Sequence, residues 1–194
     1  MTTTRLHLVR HGPTHAKSMV GWSDLPADLS DRAALDRLSA HLPPAARVIS
    51  SDLSRAAATA DAIQGPRPRL PHDPRLREMN FGAWELRRYA EIEAEDPAHI
   101  RAFWEHPGAV RPPQGESWDD LRARADAGID ALIAAHPGTD LVVVAHFGLI
   151  LCQIQRALAI PAVEAFGQRI DNLSLTELTH TGSGWQLGRI NHRP

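Results

Sequence analysis

The chain has a single cysteine, no run of eighteen consecutive apolar residues and no surplus of either charge. One thiol, Cys152, closes no internal disulfide; in its apolar helical stretch it reads as a buried small side chain suited to a reducing compartment. Without a long apolar run there is no candidate membrane span, and the opening MTTTRLHLVR lacks the charged leader and apolar region of a secretory signal. The expected location is cytoplasmic, with no membrane partner. A formal charge of -2, from 21 Lys+Arg against 23 Asp+Glu, leaves no basic footprint, so nucleic acid is not an expected partner either. Eleven histidines are many for 194 residues, but they are scattered. His11 and His15 straddle a Gly-Pro pair and share no helical face, so no metal site and no cofactor are expected.

What the sequence does have is a regular alternation of short apolar runs and helical patterns. With 43% hydrophobic residues in 194, it can form one continuous core, and a single domain over 1–194 is expected. Leu6–Val9 is a buried strand running into Arg10-His11-Gly12. Residues 17–31 form a loop. A helix from Asp31 to Leu42 carries Leu35, Leu38 and Leu42 on one stripe and stops at Pro43-Pro44. The RVIS strand at 47–50 follows. Ser51 or Asp52 is the expected cap of a helix over 53–63, which bears Arg55 in its first turn. Four prolines between Gly65 and Pro74 mark a connector. One or two short helices fall within 87–106, broken near Pro97, and residues 76–116 together form a helical and loop lid. Ser117 caps a long helix to about His136. LVVVA at 141–145 is the most apolar strand and ends on His146, a further helix covers 148–158, and segments 173–178 and 185–190 form a hairpin or edge pair. The expected fold is α/β: a three-layer α/β/α sandwich on a mainly parallel mixed sheet.

Chemistry is concentrated where strands end. His11 follows LHLV and His146 follows LVVVA, so two parallel strands would deliver both imidazoles to one edge of the sheet. Arg10 is already there, and RVIS brings Arg55 one helical turn later. Two guanidinium groups grip the oxygens of a tetrahedral dianion and stay charged at physiological pH, which points to a phosphoryl ligand. A neutral imidazole facing phosphorus is a competent nucleophile, and a phosphohistidine would split the transfer into two steps. The leaving alkoxide then needs a proton. Glu78 is the candidate donor, with Glu85 and Glu116 as rivals.

These motifs resemble those of the histidine phosphatase superfamily, also called the phosphoglycerate mutase-like family. Arg10, His11, Gly12 and Thr14 match its RHGxT signature. SSDLSRAAATA from residue 50 on looks like its second arginine motif, LREMNFGAWE at 76–85 like its acid motif, and VVVAHFG at 142–148 like its second-histidine motif. All four occur in family order. The resemblance implies a phosphoglycerate mutase-like fold, with His11 as the phosphorylated nucleophile, Arg10, Arg55 and His146 as phosphate ligands, and Glu78 as acid. The chain departs from the pattern at Pro13, Lys17 and Leu86, where Glu, Asn and Gly are common, and at Ala145 and Phe147, which flank His146. Expected substrate-binding positions are Gly12, Lys17, Gly21, Trp22 and Phe147, with Lys17 available to a second anionic group.

The expected activity is metal-independent hydrolysis of small-molecule phosphomonoesters through phospho-His11, in the branch resembling alpha-ribazole phosphatase and broad-specificity phosphatases. Two alternatives stay open: a phosphoglycerate mutase, and a non-catalytic module that binds a phosphorylated ligand. A homodimer stays open too.

Overall fold

Three apolar runs become neighbouring strands in the computed structural model, which describes residues 2–194. They are β1 (Thr3–Arg10), β2 (Arg47–Ser50) and β3 (Asp140–Ala145). β3 lies between the other two and is parallel to both. β4 (Leu175–Thr181) runs antiparallel to the other side of β1, and β5 (Trp185–Leu187) antiparallel to β4, giving the order β2-β3-β1-β4-β5. Four strands therefore point one way and only β4 opposes them, the mainly parallel mixed sheet expected from the sequence.

Side-chain alternation along the strands builds two cores. In β3, Leu141, Val143 and Ala145 enter one buried cluster, while Val142 and Val144 enter the other. Leu6 and Leu8 of β1 face the first, Val9 the second. A strand buried on both faces reads as an unbroken apolar run, and this explains why LVVVA has no polar residue. The second cluster is covered by α1 (Arg32–His41) and α2 (Ser54–Ile63). The first is covered chiefly by α5 (Trp118–Ala135) and α6 (Phe147–Leu158), with α3 (Tyr89–Glu95), α4 (Pro97–Glu105) and α7 (Ala162–Phe166) beyond them. No helix among the described residues is long and apolar enough to cross a membrane.

Most helix boundaries follow from local chemistry. Asp31 caps α1 by accepting from Ala34 N, Asp96 caps α4, and Ser117 with Asp120 forms a reciprocal capping box on α5. The cap of α2 differs from expectation. Neither Ser51 nor Asp52 serves it: Leu53 occupies the capping position without a side-chain bond, and Asp52 is instead drawn into a two-pronged pair with Arg77 (Nε–Oδ1 2.8 Å). The first amide of α2, Ser54 N, donates to Asp24 Oδ1 at 2.7 Å, so the cap comes from the distant 17–31 loop. The final hairpin is also shifted. β4 extends to Thr181 because Thr3–Arg5 continue β1 beside it, and the tight turn is confined to Gly182–Gly184. The helix α7 has no counterpart in the sequence reading.

Candidate active site

Strand register sets the central geometry. Arg10 pairs with Ala145, so the next residues of the two chains, His11 and His146, leave the sheet side by side, and His11 N donates to Ala145 O (3.1 Å). Their rings meet edge to face with centroids 5.0 Å apart. Ser50 pairs with Val144 at the same edge, and one turn further on Arg55 completes the group. This is the C-terminal edge of the parallel strands, where open α/β sheets present their ligand sites.

His11 is buried and its two nitrogens have different partners. Nδ1 lies 2.6 Å from the Gly12 carbonyl and so is assigned as the protonated nitrogen; Nε2 keeps its lone pair and accepts from Arg55 Nε at 3.2 Å. Burial, followed by the Arg55 charge, lowers the His11 pKa to about 3, against a weaker opposing pull from the Gly12 carbonyl. The imidazole is therefore neutral across the physiological range. His146 is completely buried, and burial together with His11, Arg55, Arg124 and Arg10 holds it well below the ordinary histidine value. Neither of its ring nitrogens has a hydrogen-bond partner among the described residues, and Arg10 Nε is orphaned in the same way. Buried polar atoms without partners are uncommon, and these three lie together beside His11.

Both guanidinium groups are fixed by backbone carbonyls rather than by carboxylates. Arg55 Nη1 donates to Ser23 O (2.9 Å) and Nη2 to Gly21 O (2.6 Å). Arg10 Nη1 donates to Ile170 O (2.6 Å), and its plane lies 5.3 Å from the centroid of the Phe147 ring. Burial lowers both pKa values and the charge of Glu78 opposes it, yet guanidinium stays protonated. With no carboxylate partner in contact, the positive charge remains available to an anion.

Glu78 faces this cluster from the 3-10 turn region that follows Pro74–Leu76. It is buried, and its carboxylate accepts from Met79 N (2.9 Å) and, with both oxygens, from Gly148 N (3.1 Å each) near the start of α6. The rivals have other employment. Glu85 accepts from the amides of Gly21, Trp22, Ser23 and Phe81 and from Ser23 Oγ. Burial raises its pKa, but these hydrogen bonds outweigh that and leave it below the ordinary value. Glu116 forms a bidentate pair with Arg124 and accepts from Asn80 N. Of the three carboxylates, Glu78 alone lines the cavity.

That cavity, about 310 Å3, is lined by Arg10, His11, Thr14, Arg55, Glu78 and Phe147 together with Ala16, Ser18–Val20, Phe81 and Trp104. Segment 76–116 thus contributes Glu78, Phe81 and Trp104 to the wall. The remaining sequence-derived positions divide. Phe147 lines the cavity. Gly12 is buried beneath it, donating to Thr59 Oγ1 (3.0 Å). Gly21 lies against the 76–86 loop, where an added Cβ would stand 2.0 Å from Met79 O; its carbonyl orients Arg55. Trp22 donates from Nε1 to Glu78 O (2.8 Å), stacks under Arg77 and does not line the cavity. Lys17 is exposed, between cavity-lining Ala16 and Ser18 but outside the wall itself. Ala145 is sealed in the sheet core. His15 is exposed and pairs with Asp28 at 2.8 Å. Among the described residues no three His, Cys, Asp or Glu side chains converge as a metal cage requires.

Thr59, Asn172 and Arg124 also support the site, although none lies among the residues expected from the motifs. Thr59 stands one turn after Arg55 on the same face of α2, a spacing that could have revealed it. Asn172 donates to His11 O (2.8 Å) from the segment just before β4, and Arg124 reaches from α5 to the carbonyls of Arg75, Arg77 and Glu78. Those two carry no local signal.

A buried neutral histidine beside an unpartnered second histidine, with two arginines and one carboxylate, makes a pocket suited to a phosphoryl group. The chain belongs to the histidine phosphatase superfamily (branch 1), whose sequence profile matches residues 6–193. It is similar to a probable phosphoglycerate mutase of Proteus mirabilis, 29% identical over 93% of this chain and 87% of the other. Among solved structures it resembles YhfR of Bacillus stearothermophilus (27% identity, 95% of each chain, TM-score 0.87). It also resembles the alpha-ribazole phosphatase of Shigella flexneri (27%, 97% and 96%, TM-score 0.84) and a mycobacterial glucosyl-3-phosphoglycerate phosphatase (29%, 98% and 99%, TM-score 0.83).

Proposed function

We propose that the protein hydrolyses small-molecule phosphomonoesters, without a metal, through a phosphohistidine on His11. The observation that carries this is the orientation of His11: the Gly12 carbonyl holds the proton on Nδ1, so the lone pair is on Nε2, where it accepts from Arg55 Nε until a phosphoryl group takes that donor. Nε2 attacks phosphorus as the ester P–O bond breaks, and Glu78, in its protonated form, gives its proton to the leaving alkoxide. Water then attacks the phosphorus of phospho-His11, giving a proton back to Glu78 while the P–N bond breaks and phosphate departs. Arg10, Arg55 and the single N–H of neutral His146 hold the equatorial oxygens as charge develops on them, the arrangement that lowers the barrier to phosphoryl transfer.

The family relationship and the phosphatase neighbours support the same reading. The name of the Proteus mirabilis relative favours a second one, a mutase that returns the phosphoryl group to a glycerate acceptor. Phosphate release from a panel of phosphomonoesters, with and without chelator, separates the possibilities. Under the hydrolytic reading chelator leaves the rate intact and acid-labile phosphate accumulates on His11. His11→Ala abolishes turnover, a fall of about 10^4-fold or more. Rapid interconversion of 2- and 3-phosphoglycerate with little free phosphate supports the mutase instead.

A further inference from the structure

The peptide that joins His11 to Gly12 is held at both ends by side chains from elsewhere in the fold. Its carbonyl, His11 O, accepts from Asn172 Nδ2 at 2.8 Å, and its amide, Gly12 N, donates to Thr59 Oγ1 at 3.0 Å. Thr59 is completely buried and gives its own proton to Arg55 O at 2.6 Å, so its hydroxyl oxygen is left to Gly12 as an acceptor. The next carbonyl, Pro13 O, is held by Asp28 N at 2.7 Å. Gly12 O lies between these fixed points, 2.6 Å from His11 Nδ1. Packing closes the same spot: a Cβ on Gly12 would stand 2.7 Å from Leu29 Cδ2 and 3.0 Å from Asp28 O. Neither Thr59 nor Asn172 lines the ligand cavity, so whatever they do for the site they do through this peptide.

Taking His11 Nε2 as the attacking atom, as the hydrolase reading above does, we infer that Thr59 and Asn172 are positioning residues that keep the His11 proton on Nδ1 while an oxyanion occupies the pocket. A neutral imidazole has one N–H, and either nitrogen can carry it. In the free site Arg55 Nε donates to Nε2 at 3.2 Å and so helps to hold the proton on Nδ1. A phosphoryl group takes that donor away and sets negatively charged oxygens before Nε2, where they favour an N–H over a lone pair. A proton on Nε2 would then make His11 one more phosphate ligand and no nucleophile. The Gly12 carbonyl opposes this change of tautomer, and it can do so only while it faces Nδ1. Its direction is set by the peptide that Asn172 fastens from the segment before β4 and Thr59 fastens from α2.

Ring-nitrogen NMR shifts of histidine-labelled protein read the tautomer directly, with His11 assigned by the signal lost in His11→Asn and with sulfate as an inert oxyanion. In the unaltered protein Nδ1 is expected to remain the protonated nitrogen with and without sulfate. Thr59→Val keeps the side-chain shape and removes the acceptor, and Asn172→Ala removes the donor. With sulfate present, each is expected to carry the His11 proton mainly on Nε2. Their kcat should fall about tenfold, by the same factor for 4-nitrophenyl and alkyl phosphates because the acid is untouched, and Thr59→Ser, which keeps the oxygen, should recover most of the loss. An Nε2–H signal in the unaltered protein with sulfate overturns the inference without recourse to any variant. A His11 signal that stays Nδ1–H in both variants, whatever happens to kcat, overturns it as well. If the tautomer moves as expected while no phosphomonoester is turned over, the hydrolase reading fails and the roles of Thr59 and Asn172 stand.

Discussion

The site has two halves held by different forces. The sheet-edge half, with Arg10, His11, Arg55 and His146, is positioned by strand register and the first turn of α2. The rim half, residues 17–23 and 76–86, has no ladder of its own; side chains grasp its backbone. Glu85 gathers the amides of residues 21–23 and Phe81, while Arg124 gathers the carbonyls of residues 75, 77 and 78. A ladder shares its load over many bonds, whereas the rim has one reciprocal backbone pair, Met19 with Leu86 and Arg87, and depends for the rest on a few side chains, so single substitutions weaken it more. The proposed nucleophile, His11, is thus built to stay put, and Glu78 and the carbonyl clamps on Arg55 are the parts most exposed to single substitutions.

The largest expected effect tests where the halves touch. Gly148 leads α6 out of the sheet edge, and a Cβ there would stand 2.4 Å from Glu78 Oε1 and 3.0 Å from Leu121. Gly148→Ala therefore pushes the proton donor off its amide without altering His11. Turnover of alkyl phosphates should fall about 10^2-fold, the usual worth of a positioned acid, while 4-nitrophenyl phosphate, whose leaving group needs little protonation, should lose much less. An equal loss for both substrates would mean that the substitution disturbs the nucleophile as well, and the division into halves would not hold.

Glu85→Gln comes next. The carboxylate has only acceptor oxygens and serves five donors; an amide offers one such oxygen and presents N–H groups to the rest. A stability loss of about 2 kcal/mol is expected in urea unfolding. Because the Gly21 and Ser23 carbonyls hold Arg55, KM should also rise, by about tenfold. A stability loss with unchanged KM would show that Arg55 keeps its place without the rim.

How much of this was legible follows the same division. LHLV, RVIS and LVVVA announce buried strands, and the polar residues that terminate them mark the sheet edge, so the topology around His11 and His146 could be read from pattern. The rim could not, because Glu85, Arg124 and Asn172 act on backbone far away in sequence, and periodicity carries no trace of such contacts. Trp22 and Gly21 illustrate the consequence: from the sequence they face substrate, whereas in the fold they secure Glu78 and Arg55 from behind. The Asp24 cap of α2 escaped notice for the same reason. Leu86 is different again. It adopts φ +61°, the left-handed conformation for which glycine is suited, so a leucine here holds its turn at a local cost.

Acid distinguishes the halves without any change to the catalytic chemistry. His11 has its pKa lowered from 6.5 to about 3 in the folded protein. Well above pH 6.5 it is neutral in both states and contributes no pH dependence. Between 6.5 and about 3 the unfolded chain binds a proton that the folded one refuses, so stability falls as pH falls, and His146 acts in the same direction. Glu85, lowered from 4.5, works in a separate window: its stabilisation is complete above the unfolded carboxylate value and is lost only as pH drops below it. From pH 6 to pH 5 the loss of stability therefore comes from histidines, His11 and His146 at the sheet edge with His7 and His192 elsewhere on the sheet, and not from Glu85 in the rim. In phosphate-free buffer, His11→Asn should flatten the slope over that interval by about 1.4 kcal/mol per pH unit, one proton's worth, while Glu85→Gln leaves the slope unchanged. Urea midpoints at the two pH values provide the measurement. A slope untouched by His11→Asn would mean that His11 takes up its proton in the fold, and with it the neutral nucleophile on which the proposed reaction depends would be lost.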